Sequence, residues 1–191
     1  MGYLFLGKSL AALGALLESR GLRFELAVVG GGGLILLGLA ERATRDLDIV
    51  AIVTGDDYTT AQPIPEALAE AATDVGNAFS LAADWLNEGP TALLDFGLPS
   101  GFAERAERRE YGSLILHIAS RVDQIHLKLY ASVDQGPRSK HVSDLTRLSP
   151  TRDELLAAAR WTREHDPSDG FREELVRTLI YFGVSDANDK I

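Results

Sequence analysis

The chain has 191 residues, 46% of them hydrophobic, which is enough apolar material for a folded core and argues against a disordered segment. It has no cysteine, and this excludes a disulfide framework, a thiolate zinc site and a cysteine nucleophile. The net charge of −9 argues against a protein that coats nucleic acid through its overall charge. Residues 101–152 differ from the rest, because they hold 9 basic and 6 acidic side chains.

Apolar runs in the sequence are too short for a membrane-spanning helix, which needs roughly 18 such residues. The most apolar stretch, residues 26–40, contains four consecutive glycines. The early amphipathic helix does not have the pattern of a signal-peptide core. We therefore expect a cytoplasmic protein with no membrane partner.

The N-terminal part of the chain alternates helical and strand patterns. Leucines at helical spacing predict the first helix, and apolar runs bounded by glycine predict two buried strands. Proline, glycine and aspartate mark the breaks between elements. In chain order the predicted elements are a helix at 8–20, a strand at 24–29, a glycine turn at 30–33, a helix at 34–40, a strand at 47–53, helices at 66–73 and 75–87, an irregular stretch at 89–100, a strand at 111–118, a helix at 122–133 and a short helix near Lys140.

The C-terminal part reads as two helices, at residues 152–165 and 169–183. Thr151 and Glu154 have the spacing of a capping box, which places a helix start just after Pro150. We predict a mixed α/β (α+β) fold with a small sheet flanked by helices over residues 1–148. Residues 149–191 are predicted to be a helical pair packed on that core.

Two aspartates at the start of the second predicted strand are the strongest chemical feature. Asp46 and Asp48 are two residues apart, so both project to the same face, while Leu47 and Ile49 face the core. Two carboxylates on one face can hold a hard cation such as Mg²⁺, which also takes oxygen ligands from substrate phosphates. The sequence thus predicts a metal-assisted phosphoryl-transfer site.

The glycine run before these aspartates suits phosphate binding, because small residues let backbone N–H groups approach an anion at a helix start. A dinucleotide-binding motif is the sharpest rival interpretation. Gly30 and Gly32 match Gly-x-Gly-x-x-Gly, but Ile35 stands where the third glycine belongs. No Gly-Lys-Ser or Gly-Lys-Thr occurs, which excludes the Walker pattern.

The combination of Gly30-Gly31, a helix, and Arg42-x-Thr44-x-Asp46-x-Asp48 before an apolar strand resembles the polymerase-β-like nucleotidyltransferase superfamily. In particular it is similar to the branch with the abortive-infection (AbiE-type) and MenT-type toxins of toxin–antitoxin systems. The resemblance implies a minimal nucleotidyltransferase core. It also implies that Gly30, Gly31 and Thr44 bind the nucleotide and that Asp46 and Asp48 hold the metal, Mg²⁺ or alternatively Mn²⁺.

A second block, residues 119–131, resembles the lysine-bearing helix of that branch, and Lys140 to Leu145 resembles its following lysine-x-x-x-aspartate-leucine segment. By this resemblance Lys128 contacts the triphosphate and Asp144 completes the polar site as further catalytic residues. From the residues alone, Lys128 lies among apolar neighbours and must either extend to solvent or serve a charged partner.

The third carboxylate that many superfamily members carry on a later strand is missing from residues 113–118. This agrees with the toxin branch and weakens a polymerase-like interpretation. The resemblance implies transfer of a nucleoside monophosphate from an NTP to the 3′ end of tRNA, by a toxin that has a cognate antitoxin. A protein acceptor, with the chain in an antitoxin-like role, a small-molecule acceptor and a weakly catalytic nucleotide-binding module remain alternatives. Basic side chains that could receive the RNA are Arg105, Arg108, Arg109, Arg121, Arg138 and Lys140.

Overall fold

The computed structural model describes residues 2–41 and 43–191, without the side chains of Tyr3, Leu4 and Phe96. Arg42, which belongs to the motif quoted above, lies outside the described residues. The chain forms two compact units, Met1–Ser120 and Arg121–Ile191. The division predicted after residue 148 falls inside the second unit.

The first unit contains the sheet and the helices that flank it. Helix α1 (Tyr3–Ser19) packs on the strands through a stripe of leucines, and Gly21 follows it with a φ of 67°. Two further helices, α2 (Gly30–Leu36) and α3 (Glu66–Phe79), lie against the sheet and against α1 respectively. The remaining elements are the strands β1 (Phe24–Val29), β2 (Leu47–Thr54), β3 (Asp57–Thr59), β4 (Leu86–Asn87), β5 (Glu107–Tyr111) and β6 (Leu114–Ile118), the short helix α4 (Phe102–Arg105) and a 3-10 helix at Gly89–Phe96.

Within the described residues these strands form one mixed sheet in the order β3-β2-β1-β6-β5, with β4 also paired to β2. β1 runs antiparallel to β2 and parallel to β6. The three central strands carry the apolar side chains that the sequence predicted to be buried. The predicted fold class, a small mixed α/β sheet flanked by helices with further helices at the C-terminus, is confirmed.

Three predicted elements of this unit were wrong. The glycines at positions 30–33 form the start of α2 itself and not a separate turn, because their packing on β2 offsets the low helix propensity of glycine. The chain leaves the helical path after α3, where Ser80 adopts a left-handed conformation, so residues 80–87 are not helical. The single strand predicted at 111–118 is a hairpin of β5 and β6.

The second unit is helical. α5 (Arg121–Gln135) packs against α6 (Lys140–Leu148), α7 (Arg152–His165) and α8 (Asp169–Tyr181), and a 3-10 turn, Ala187–Asp189, follows. The apolar faces predicted for the last two helices are buried, except that Ile180 is 50% exposed and Phe182 is only partly buried. No helix among the described residues is both long enough and apolar enough to span a membrane.

The predicted capping box at the start of α7 is present, since Thr151 and Glu154 exchange hydrogen bonds between side chain and backbone. Glu154 also binds the Arg121 guanidinium, whose Nη1 lies 2.6 Å from Glu154 Oε1. The hydrogen bond from Arg121 is the main cause that lowers the pKa of Glu154 below its ordinary value. The carboxylate therefore stabilises this unit in its ionised form.

Replacing Glu154 with Gln is expected to lower the free energy of unfolding by about 1 kcal/mol at neutral pH. Because the pKa is lowered in the folded state, this stabilisation is complete above the unfolded-state value and is lost as pH falls through the folded-state value. Urea unfolding at neutral and acidic pH measures the difference. Glu164→Gln, an exposed change on the same helix, is the control. A deficit that persists unchanged in acid would contradict the prediction.

Candidate functional site

Two carboxylates stand at the start of β2. Asp46 directly precedes the strand, Asp48 is its second residue, and both are partly exposed. Leu47 and Ile49, which alternate with them, are fully buried. The alternation expected of a strand is therefore present, with the carboxylates on one face and the apolar anchors on the other.

Gly30 lies directly against the Asp48 carboxylate. The register of β1 and β2 places Val29 opposite Asp48, and Gly30 follows with a φ of 71°. A Cβ at position 30 would overlap Asp48 Oδ2, so only glycine suits both the backbone conformation and the close approach. The first glycine of the motif thus leaves space for the carboxylate.

Gly32 brings α2 equally close to the residues around the aspartates. A Cβ at this position would lie 2.8 Å from Leu47 Cδ1 and 3.0 Å from the Asp46 carbonyl oxygen. Larger side chains would push the helix away from the strand. Gly30 and Gly32 therefore have packing reasons that are visible without a ligand, while Gly31 is buried in the same helical turn.

Thr44 contacts the other aspartate. Its Oγ1 donates to Asp46 Oδ1 at 3.0 Å and lies 3.3 Å from the Asp46 carbonyl oxygen. Thr44 is buried, so this short loop is held close to the strand. The contact orients the Asp46 carboxylate, and the binding of a nucleotide by Thr44 stays a prediction.

Asn87 is a site residue that the sequence analysis missed. It lies on β4, where the parallel register places it beside Asp48, and its Nδ2 donates to Asp48 Oδ1 at 3.0 Å. The Asn87 Oδ1 accepts from the Gly89 N–H at 3.0 Å, which fixes the amide orientation. Each aspartate of the pair therefore has a neutral hydrogen-bond donor beside it.

Trp85 holds β4 in this position. Its Nε1 donates to the Ala72 carbonyl oxygen of α3 at 2.9 Å, and its own carbonyl oxygen accepts from the Leu47 N–H at 2.6 Å. Its indole also contacts Gly76, where a Cβ would lie 3.2 Å from Nε1. The tryptophan thus ties α3 to the start of β2 and brings Asn87 to Asp48.

The carboxylate pair and its neighbours suit a hard cation, which prefers oxygen ligands. In residues 2–41 and 43–191, no group of three or more His, Asp or Glu side chains is arranged to hold a metal. Asp95 is exposed in the 3-10 helix, and β6 carries no acid. An ion at Asp46 and Asp48 would take its other ligands from substrate and water.

Asn87→Ala is expected to weaken divalent-metal binding by about 10- to 100-fold, because partners that orient a ligating carboxylate have effects of this size. Titration with Mn²⁺, followed by calorimetry, measures the affinity. Asn77→Ala, an exposed change on α3, is the matched control. Equal affinities of the two variants would show that Asn87 has no part in metal binding.

The second unit contains a buried ion pair. Lys128 Nζ on α5 lies 2.9 Å from Asp144 Oδ2 on α6, and the two side chains are 4% and 0% exposed. The charged partner that the sequence predicted for Lys128, as the alternative to extension into solvent, is therefore Asp144. Burial of both charges makes the pair sensitive to the loss of either member.

The basic residues proposed to receive RNA differ in their surroundings. Arg108 pairs with Glu110, and Arg109 pairs with Glu107 at 2.6 Å. Arg121 binds Glu154 and the carbonyl oxygens of Leu148 and Ser149, which gives it a structural role. The exposed members of the set are Arg105, Arg108, Arg138 and Lys140.

Each unit therefore offers its own set of polar groups. The first has a carboxylate pair, oriented by Thr44 and Asn87, beside a glycine helix. The second has a buried ammonium–carboxylate pair. Comparisons of the chain with protein-family models, with curated proteins and with solved structures each found no match.

Proposed function

We propose that this chain is a magnesium-dependent nucleotidyltransferase, which moves a nucleoside monophosphate from an NTP to an acceptor with release of pyrophosphate. The observation that carries the proposal is the arrangement at the start of β2. Asp46 and Asp48 share one face, and Gly30 lets the Asp48 carboxylate lie where a Cβ at position 30 would overlap it. Carboxylates that can hold Mg²⁺ are a recurring part of phosphoryl-transfer sites.

Asp46 and Asp48 would hold Mg²⁺, or Mn²⁺ as the alternative. When bound, the ion neutralises phosphate charge and aligns the phosphoryl group for in-line attack. Thr44 and Asn87 keep the two carboxylates oriented through hydrogen bonds of 3.0 Å each. Preset orientation reduces the rearrangement needed when substrate arrives.

The nucleotide would be bound by groups that the family resemblance names. Backbone N–H groups of Gly30 and Gly31, with Thr44, would hold the triphosphate. Lys128 would offset its negative charge, and the 2.9 Å contact with Asp144 supports a role for Asp144 in positioning the ammonium. A lysine suits this task as a compact charge with three donors.

The resemblance suggests the acceptor, and we propose the 3′ end of tRNA. The chain would then be the toxin of a toxin–antitoxin pair and would need a cognate antitoxin. The exposed Arg138 and Lys140, in a segment with a basic excess, support contact with a polyanion. Hydroxyl attack on the α-phosphorus would extend the RNA by one nucleotide and release pyrophosphate.

Incubation with each of four α-phosphorus-labelled NTPs and Mg²⁺, in the presence of total tRNA and separately of lysate protein, tests the proposal. Label on tRNA supports the toxin function, and label on protein identifies the protein-acceptor alternative. Nucleotide binding without transfer indicates a binding module. If the chain neither binds nor transfers any NTP, while the same assay detects an unrelated nucleotidyltransferase, the proposed function is wrong.

A further inference from the structure

Arg45 lies in the short segment that precedes β2, between two residues of the candidate site. This segment extends past the edge of the sheet at which the carboxylates stand, because β1 ends at Val29, opposite Asp48. The hydrogen bond from Thr44 to Asp46 Oδ1 holds the residues on both sides of Arg45, whose own side chain is 81% exposed. The sequence thus places an accessible cation beside the carboxylate pair.

The contact of Arg45 with Asp84 is weak. Arg45 Nη2 lies 3.8 Å from Asp84 Oδ1, which is beyond the length of a hydrogen bond, and the Asp84 side chain is 71% exposed. An exposed ion pair of this kind contributes little to stability, because water and salt screen it. Asp84 directly precedes Trp85, whose carbonyl oxygen accepts from the Leu47 N–H, so the pair lies where β4 meets the start of β2. Arg45 can therefore exchange Asp84 for a stronger partner.

The carboxylate pair needs a further cation if it is to bind a nucleotide. One Mg²⁺ balances the charges of Asp46 and Asp48, so the negative charge of a bound triphosphate must be met by other groups. Lys128 is 4% exposed and already pairs with Asp144, and that pair has no net charge. The guanidinium of Arg45 can donate two hydrogen bonds to phosphate oxygens, and such charge-assisted bonds are stronger than a contact at 3.8 Å.

We propose that Arg45 leaves Asp84 when the nucleotide binds and donates hydrogen bonds to its phosphate oxygens. This inference rests on the proposed function, in which Asp46 and Asp48 hold the metal that the triphosphate also binds. The Asp84 carboxylate then competes with the nucleotide for Arg45. Because phosphates are common to all four nucleotides, the contact stabilises each of them equally.

The test compares the full chain with its Arg45→Gln, Arg45→Lys and Asp84→Asn variants. Calorimetric titration with Mg²⁺ and the α,β-methylene analogues of ATP, GTP, CTP and UTP gives four affinities for each protein. Titration with Mn²⁺ alone gives the affinity for the metal. Arg23→Gln is the matched control, because Arg23 is 64% exposed in its pair with Glu25 and precedes β1, at the opposite edge of the sheet.

We expect Arg45→Gln to bind all four analogues about 10- to 100-fold more weakly. Arg45→Lys should recover part of this loss, since an ammonium keeps the charge without the planar set of donors. Asp84→Asn should bind the analogues up to about 5-fold more tightly, because the competing charge is gone. Without nucleotide, Mn²⁺ should bind Arg45→Gln at least as tightly as the unmodified chain, since a nearby positive charge has been removed.

Three outcomes would overturn the inference. If the unmodified chain binds the analogues and Arg45→Gln binds them as tightly as Arg23→Gln does, Arg45 does not contact the phosphates and the proposed function survives. A loss of Mn²⁺ affinity in Arg45→Gln as large as its loss of nucleotide affinity would indicate that Arg45 only maintains the shape of the segment before β2. If the unmodified chain binds none of the four analogues, the proposed function fails and this inference fails with it.

Discussion

Asp48→Asn is expected to reduce nucleotidyl transfer by at least about 1000-fold, because the carboxylate supplies charge that the bound cation needs and several kcal/mol of barrier depend on that cation. Asparagine has the same shape as aspartate, so the close approach of Gly30 is retained. Its Oδ1 can still accept the hydrogen bond that Asn87 donates at 3.0 Å. The fold should therefore survive while the charge is lost.

Transfer of labelled nucleotide at saturating Mg²⁺ and NTP measures this effect, with Tm as the check on folding. Asp56→Asn is the matched control, since Asp56 is an exposed aspartate in the turn that follows β2. The control should keep its full rate. A variant Asp48→Asn that folds and retains more than about a tenth of the rate would remove Asp48 from the metal site, because its contribution would be under 1.4 kcal/mol.

Local sequence patterns predicted those elements whose side chains alternate or recur over several turns. The buried runs of β1 and β2, and the capping box of Thr151 and Glu154, are set by contacts within a few residues. The orientation of Asp46 and Asp48 follows from the same alternation. These features needed no knowledge of distant parts of the chain.

β4 and β5 could not be predicted from local sequence patterns. β4 has two residues, so it offers no alternation, and it forms because Trp85 anchors the chain to α3 and to β2. β5 is rich in charged residues because it lies at the edge of the sheet, where exposed charge discourages pairing with other chains. Asn87 was not predicted as a site residue, because β4 is too short to show a pattern and because its partner Asp48 is 39 residues away.

The pairing of Lys128 with Asp144 was only partly predictable. An isolated lysine among apolar residues indicates a charged partner, but the spacing of 16 residues between helices does not identify it. The family resemblance named both residues and left open whether Asp144 orients Lys128 or the acceptor.

Lys128→Met should lower the free energy of unfolding by about 3–5 kcal/mol, because it leaves Asp144 buried without its ammonium partner. The double change Lys128→Met with Asp144→Leu should recover most of this loss, since apolar residues can replace a buried ion pair at little cost. If Lys128 also contacts the triphosphate, the recovered stability will not be accompanied by recovered transfer. Comparison of the single and double variants thus separates a role of Lys128 in folding from a role in chemistry.

Urea unfolding of the single and double variants gives the coupling energy between Lys128 and Asp144. Arg177→Met is the control, because Arg177 forms an exposed pair with Glu173, with 66% and 69% of the two side chains accessible. That change should lower the free energy of unfolding by less than about 1 kcal/mol, because an exposed ion pair contributes no more than this. A Lys128→Met variant no less stable than the control would mean that the buried pair does not stabilise the second unit. Full transfer activity in the double variant would instead remove Lys128 from the proposed chemistry, whatever its effect on stability.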